Sequence, residues 1–230
     1  MKKLISILCL ISCVGSALAA PNITHYIPAG WKKIAQATGD LNKDGKADIA
    51  LIIQNTDPKN IIKNDSLGGE TLNFNPRHLL VLLNTGKSYQ QVILNKNIPR
   101  ENDEDASCLV DPLEDGELSI TKGKLNIVLV YWMSCGGWSR TTETYQFRWQ
   151  NQQFELIGFD SDEFHRATGD QTRQSFNFLT SKRKIITGLN EFSEVAVQPK
   201  VNWKNLSKKP LYQLKDFKFS ELLQAKQITE

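Results

Sequence analysis

Histidine is scarce in this chain. Three occur among 230 residues, His25, His78 and His165, far apart and without a second ligand at metal-binding spacing. A zinc site built on imidazole and thiolate needs such spacing, so none is read here. The serines form no Gly-x-Ser-x-Gly elbow, and no glycine-rich loop is set to cradle phosphate. Those absences remove the motif-bearing serine hydrolases and nucleotide-binding folds. Excess charge of one sign is also missing: 28 Lys and Arg face 25 Asp and Glu, and Lys2 and Lys3 belong to a leader. A near-neutral mature chain has no electrostatic footprint for nucleic acid or an anionic membrane. Apolar runs such as Ile49-Ala50-Leu51-Ile52-Ile53 are short, whereas a bilayer span takes about 20 residues. No transmembrane segment is expected.

What stands at the N-terminus is a targeting pattern. Lys2-Lys3, the apolar stretch from Leu4 to Val14 and the small-x-small site Ala17-Leu18-Ala19 read as a secretory signal peptide over residues 1–19. Cleavage is expected after Ala19, sending a single β domain, residues 20–230, to the periplasm or the exterior. A second site competes with it: Leu10-Ile11-Ser12-Cys13 resembles a lipoprotein box, and its use would put a lipid anchor on Cys13. Of the four cysteines, Cys9 and Cys13 fall in the leader, leaving Cys108 and Cys135. An even pair in an exported chain is expected to form a disulfide. On the chain-entropy account such a bridge contributes about 3–4 kcal/mol.

The richest stretch is Asp40-Leu41-Asn42-Lys43-Asp44-Gly45-Lys46-Ala47-Asp48. It sets Asp40, Asn42, Asp44 and Asp48 at loop positions 1, 3, 5 and 9, with the backbone carbonyl of Lys46 at position 7. Hard cations such as Ca²⁺ take six to eight oxygen ligands, and this phase can supply them around the bend that Gly45 permits. An EF-hand or dockerin loop would need an acidic residue at position 12, where this chain has Leu51. The β-branched run that follows favours a strand over a helix. The order expected is therefore strand, calcium loop, strand.

Gly39 to Ala50 resembles the signature of FG-GAP repeats, also called VCBS repeats. In that family the loop joins two strands of a β-propeller blade. The resemblance implies a structural Ca²⁺ site in an extracytoplasmic β domain, with an affinity on the order of 10⁻⁴–10⁻³ M if it behaves as other extracellular modules do. One good copy of the loop is present.

The rest of the chain alternates as strands do. About three strand-hairpin units are expected. One is Leu79 to Leu94, turning at Asn84-Thr85-Gly86-Lys87. Another is Leu118 to Phe159, with turns at Lys122-Gly123 and Asn151-Gln152. The third is Gln174 to Thr187. The fold class is all-β, mainly antiparallel, either propeller-like blades or a sandwich. A short C-terminal helix is expected over 217–227. The first two units are similar in shape, at a spacing that blades or sandwich halves would allow.

Two further segments invite a functional reading. Asp160-Ser161-Asp162-Glu163-Phe164-His165 is acidic but lacks the glycine and phase of the first loop, and reads as a solvated loop at a strand end. Tyr131 to Arg140 gathers Trp132, Trp138 and Arg140 beside Cys135, residue types enriched at binding hot spots. The same tryptophans could instead pack beneath a turn. The expected function is non-catalytic binding of an envelope protein, another macromolecule or a glycan by an exported calcium-binding domain. Two alternatives are a periplasmic inhibitor or immunity protein against a delivered toxin, and a hydrolase without a recognisable motif.

Overall fold

A computed structural model describes residues 22–195 and 198–219. The expected leader, with Ala19 and Cys13, lies outside the described residues. From the N-terminal side, β1 (Trp31–Gly39) and β2 (Asp48–Asn55) form an antiparallel pair. A two-stranded hairpin, β3 (Ile61–Lys63) and β4 (Thr71–Asn73), is inserted before β5 (Arg77–Asn84) and β6 (Tyr89–Ile98). These strands build a four-stranded sheet in the order β1-β2-β5-β6. Then follow β7 (Glu117–Thr121), β8 (Lys124–Trp132), β9 (Ser139–Gln150), β10 (Gln153–His165), β11 (Asp170–Asn177), β12 (Lys182–Asn190) and β13 (Lys200–Asn205). They pair in chain order as a seven-stranded antiparallel meander.

The two sheets pack face to face, so the sandwich describes this chain and a ring of blades does not. One core joins them. Ala50, Ile52, Leu79, Val81 and Ile93 from the small sheet meet Leu125, Ile127, Leu129, Tyr145, Phe147, Phe154 and Phe159 from the large one. The small sheet is also covered on its outer side. There Ile49, Leu51, Ile53, Leu80 and Leu82 pack under Ile23, Tyr26, Ile27 and Trp31. Burial on both faces is the reason β2 and β5 read as continuous apolar runs rather than alternating ones. Strands of the large sheet alternate instead: in β8, Leu125, Ile127 and Leu129 are buried and the residues between them are less so. A register shift between Leu156 and Gly158 inserts Ile157 as a bulge and keeps Phe159 and Ser161 facing inward. The hairpin turns at Lys122-Gly123 and Asn151-Gln152 have positive φ at both central residues, the geometry that matches strand twist.

The last described residues, 212–219, form a strap across the sandwich. Leu156 N donates to the Tyr212 carbonyl at 2.9 Å. A 3-10 turn follows at Leu214–Asp216, and Phe217 and Phe219 insert edge-on beside Tyr145. Asn95 Nδ2 ties this strap to β6, donating to the carbonyls of Leu214 and Phe217 at 2.6 and 2.8 Å. Of the helix expected over 217–227, residues 217 and 218 are extended or irregular, and 220–227 lie outside the described residues. One expectation needs correction. Residues 160–165 are not a loop but the end of β10, because Asp160 and Asp162 pair across the outer face with Thr144 and Thr142. Of the two units similar in shape, one falls within the small sheet and one within the large, the placement that the sandwich-half alternative allows.

Candidate metal centre and the disulfide-tied end

The loop between β1 and β2 holds four of the five expected ligand positions, and the first residue of β2, Asp48, is the fifth. The loop backbone bends through positive φ at Lys43 and Gly45. Asp40 organises its first half. Its Oδ1 accepts from Lys43 N at 2.6 Å and Asp44 N at 3.2 Å, and its Oδ2 accepts from Gly45 N at 2.9 Å. Asn42 Oδ1 accepts from Asp44 N at 3.1 Å. Asp44 accepts from Lys46 N and, at its other oxygen, from Lys46 Nζ, both at 2.9 Å. The Lys46 ammonium and amide hold the Asp44 carboxyl below the usual carboxylate range.

Asp48 is different. It opens β2 and is fully buried. One oxygen accepts from Leu41 N at 2.8 Å and Asn42 N at 3.4 Å, the other from Asn84 N at 2.8 Å. Burial pushes its carboxyl up, and these three N–H donors oppose that shift. Asp48 thus stitches the loop to the β5–β6 turn while Leu41 anchors it in the core. The β7–β8 turn closes the other side, where a Cβ on Gly123 would lie 3.7 Å from the Asp40 carbonyl.

As donors these groups suit a hard cation: three carboxylates, one amide oxygen and one backbone carbonyl. Among the described residues, no three His, Cys, Asp or Glu side chains converge on one metal-holding point. In this arrangement the carboxylates turn to the loop's own N–H groups and to Lys46. Coordination would require Asp44 to release the Lys46 ammonium, an exposed pair that costs little to open.

The opposite end of the sandwich carries the cysteines. Cys108 and Cys135 are bonded with Cα atoms 5.6 Å apart, which ties the β6–β7 connection to the β8–β9 loop. Ser134 reinforces the tie, its N and Oγ donating to the Cys108 carbonyl at 2.8 and 3.0 Å. Arg166 holds the same loop from the other side. Its guanidinium donates to the carbonyls of Met133, at 2.9 Å, and Gly137, and lies 5.1 Å from the centre of the Trp132 ring. Trp132 is therefore a partly buried brace. Its cross-strand neighbour Arg140 pairs with Asp115 at 3.3 Å. Trp138 is the one left outward, 63 % exposed.

Sequence reasoning missed Arg166 and Phe192. Phe192 is 57 % exposed and lies at Gly169, at one end of the turn over 166–169, while the Trp138 carbonyl accepts from Arg166 N at the other end. No motif marks either residue; Arg166 acquires its role only when the end of β10 meets the β8–β9 loop, and Phe192 lies against Phe164 and Gly169 only once the sheet has formed. The three histidines stand apart. His78 lies against Trp31 with ring centres 4.3 Å apart, and burial followed by Lys96 lowers its pKa. His165 Nδ1 accepts from Thr168 N at 3.2 Å, and His25 rests on Tyr26. The acidic residues of β10 are engaged by neighbours too, Asp162 by Gln171 and Arg173.

Comparison with protein-family models, with curated proteins and with solved structures finds no match.

Proposed function

We propose that this chain is an exported, calcium-braced β-sandwich that binds a partner protein through its disulfide-tied end and performs no chemistry itself. The observation that carries this reading is Trp138. It is 63 % exposed on a short loop fixed by a disulfide and by Arg166. A rigid, outward tryptophan is the kind of anchor that dominates binding energy, because little conformational entropy is lost when it docks. Asp40, Asn42, Asp44, the Lys46 carbonyl and Asp48 would hold one Ca²⁺ at the far end, as in the FG-GAP-like loop they resemble, where the ion serves the fold.

The test is capture from an envelope extract, with the captured protein then purified and titrated against wild type and Trp138→Ala. That substitution touches no core residue, so the melting temperature should hold. Affinity should fall by about 2 kcal/mol or more. Equal affinity of wild type and variant would place the binding surface elsewhere.

A further inference from the structure

An edge strand presents a row of unpaired backbone groups, and folds cover that row, kink it or twist it away. In the large sheet the β7 edge is covered, since Ile120 lies against Gly39 of β1. The other edge is β13, and among the described residues no strand pairs beyond it. Its six residues pair with β12 in an unbroken register, without a bulge or a proline. Every side chain on it is exposed, Trp203 to 65 %.

The register says which backbone groups point outward. Leu206 N donates to the Ser181 carbonyl at 2.8 Å, one step beyond the last strand pair, Lys182 with Asn205. Hydrogen-bonded pairs alternate along an antiparallel ladder, so Lys200, Asn202 and Lys204 bond to β12. The N–H and C=O groups of Val201, Trp203 and Asn205 therefore point away from the sheet. Side chains divide by the same alternation. Val201 and Trp203 lie on the outer face, where the Lys184 ammonium stands 5.8 Å from the centre of the Trp203 ring. Lys200, Asn202 and Lys204 lie on the inner face, with Arg183, which sits over Phe176. Their exposure means that the small sheet does not reach beneath β13.

Alternating donors and acceptors at strand spacing are matched by another backbone, and charge selects which one. β12 and β13 carry Lys182, Arg183, Lys184, Lys200 and Lys204 and no acidic residue; Glu191 and Glu194 lie in the connection between them. Among the described residues Lys200 and Lys204 form no ion pair. A second copy of the strand is a poor match. Antiparallel pairing centred on Asn202 sets Lys200 opposite Lys204 twice, and like charges directly opposed destabilise. We infer that β13 is a docking edge for an extended acidic segment of another protein, which adds to the large sheet as an eighth antiparallel strand. Its acids face Lys200 and Lys204, at the non-hydrogen-bonded positions where opposing Cα atoms come within about 4.5 Å. Its apolar residues lie beside Val201 and Trp203, which gives the order acid, apolar, any, apolar, acid. Strand addition of this kind takes affinity from the main chain and specificity from alternate side chains. The inference does not rest on the Trp138 reading, since no residue of the β8–β9 loop pairs with β13.

The experiment follows backbone amide exchange of the full mature chain by NMR. The probes are the end-capped peptide Thr-Glu-Val-Thr-Val-Glu-Thr and the same peptide with lysine in place of glutamate. In the free protein the amides of Val201, Trp203 and Asn205 should exchange fast, and those of Asn202 and Lys204 more slowly. The acidic peptide should slow the first three and bind about tenfold tighter than the lysine peptide. Lys200→Glu combined with Lys204→Glu, both at exposed positions, should reverse that preference, while a slow Asn202 amide reports that β13 remains paired. The comparison of the two peptides on the wild-type chain decides by itself if the double variant loses that pairing. Slow exchange at the three amides in the free chain would mean that the edge is already filled, by a second copy if the protection rises with concentration and by the chain's own C-terminal residues if it does not. Either result would overturn the docking edge, as would equal binding of the two peptides or an acidic peptide that leaves the three amides unprotected.

Discussion

Tyr145 has one hydroxyl proton and two oxygens within its reach. The Phe219 carbonyl lies 2.6 Å away, and Glu143 Oε2 is in contact on the other side. The phenol donates toward both, and its single proton can serve only one at a time. Burial pushes the Glu143 carboxyl above its ordinary value of 4.5, with the Tyr145 hydrogen bond opposing. Whenever that carboxyl is protonated it can donate to the phenol and leave the phenol's proton to the strap. Tyr131, also buried, and Ser161 across the strand pair complete the surroundings of Glu143. A raised folded-state pKa means that the native state holds this proton more tightly than the unfolded chain. Its contribution to stability is complete below the unfolded glutamate range and is lost as pH rises through the elevated value. Urea melts of wild type and Glu143→Gln between about pH 4 and pH 8 check this. Wild type should lose stability relative to the variant as pH rises, because the amide keeps a donor without ionising. Parallel curves would place the ionised carboxylate in the native state.

At the scale of elements, the β1–β2 loop has a structural role and a proposed ion-binding role that substitution can separate. Asp48 is structural with or without an ion. Asp48→Ala would orphan the amides of Leu41, Asn42 and Asn84, costing about 2–3 kcal/mol in chelator by denaturant melts. Asp44 is exposed, and its carboxylate accepts from Lys46 N and Nζ. Asp44→Ala should leave calcium-free stability nearly unchanged yet abolish the gain from added Ca²⁺, roughly 1.4 kcal/mol at ten times Kd for wild type. A wild-type melting temperature indifferent to both calcium and EDTA would remove the ion from the loop. This loop was legible in sequence because ligand phase and glycine are local properties. So were the hairpins β5–β6 and β9–β10, whose turns fall between apolar strands. What lacked a buried face was not. β13 is exposed at every position, and β3 lies in a polar stretch with no inward side. Residues 160–165 looked like a solvated loop since their acidic groups face outward from a strand whose inner side is Phe159 and Ser161. The strap was missed for a different reason: Phe217 and Phe219 are fixed by contacts with Tyr145 and Asn95, far away in sequence.

Across the whole molecule the two braces act on opposite ends. The β7–β8 turn touches the β1–β2 loop, the proposed calcium site, at Gly123, while the disulfide loop begins where β8 ends, at Trp132. The strand between spans roughly 26 Å at the usual rise per residue. Sites that far apart with no shared partner should contribute additively. Reduction of Cys108–Cys135 frees the connection from Ile98 to Glu117 and the loop that presents Trp138, and should cost about 3 kcal/mol. That loss should be the same with saturating calcium and with EDTA, measured by denaturant melts under each of the four conditions. Affinity for the proposed partner should divide differently. Below the melting transition, reduction slackens the loop under Trp138 and should weaken binding, whereas chelation leaves that end intact and should not. If EDTA weakened the partner complex as strongly as a reductant does, the anchor would belong to the calcium end, and the polarity argued from β8 would be reversed.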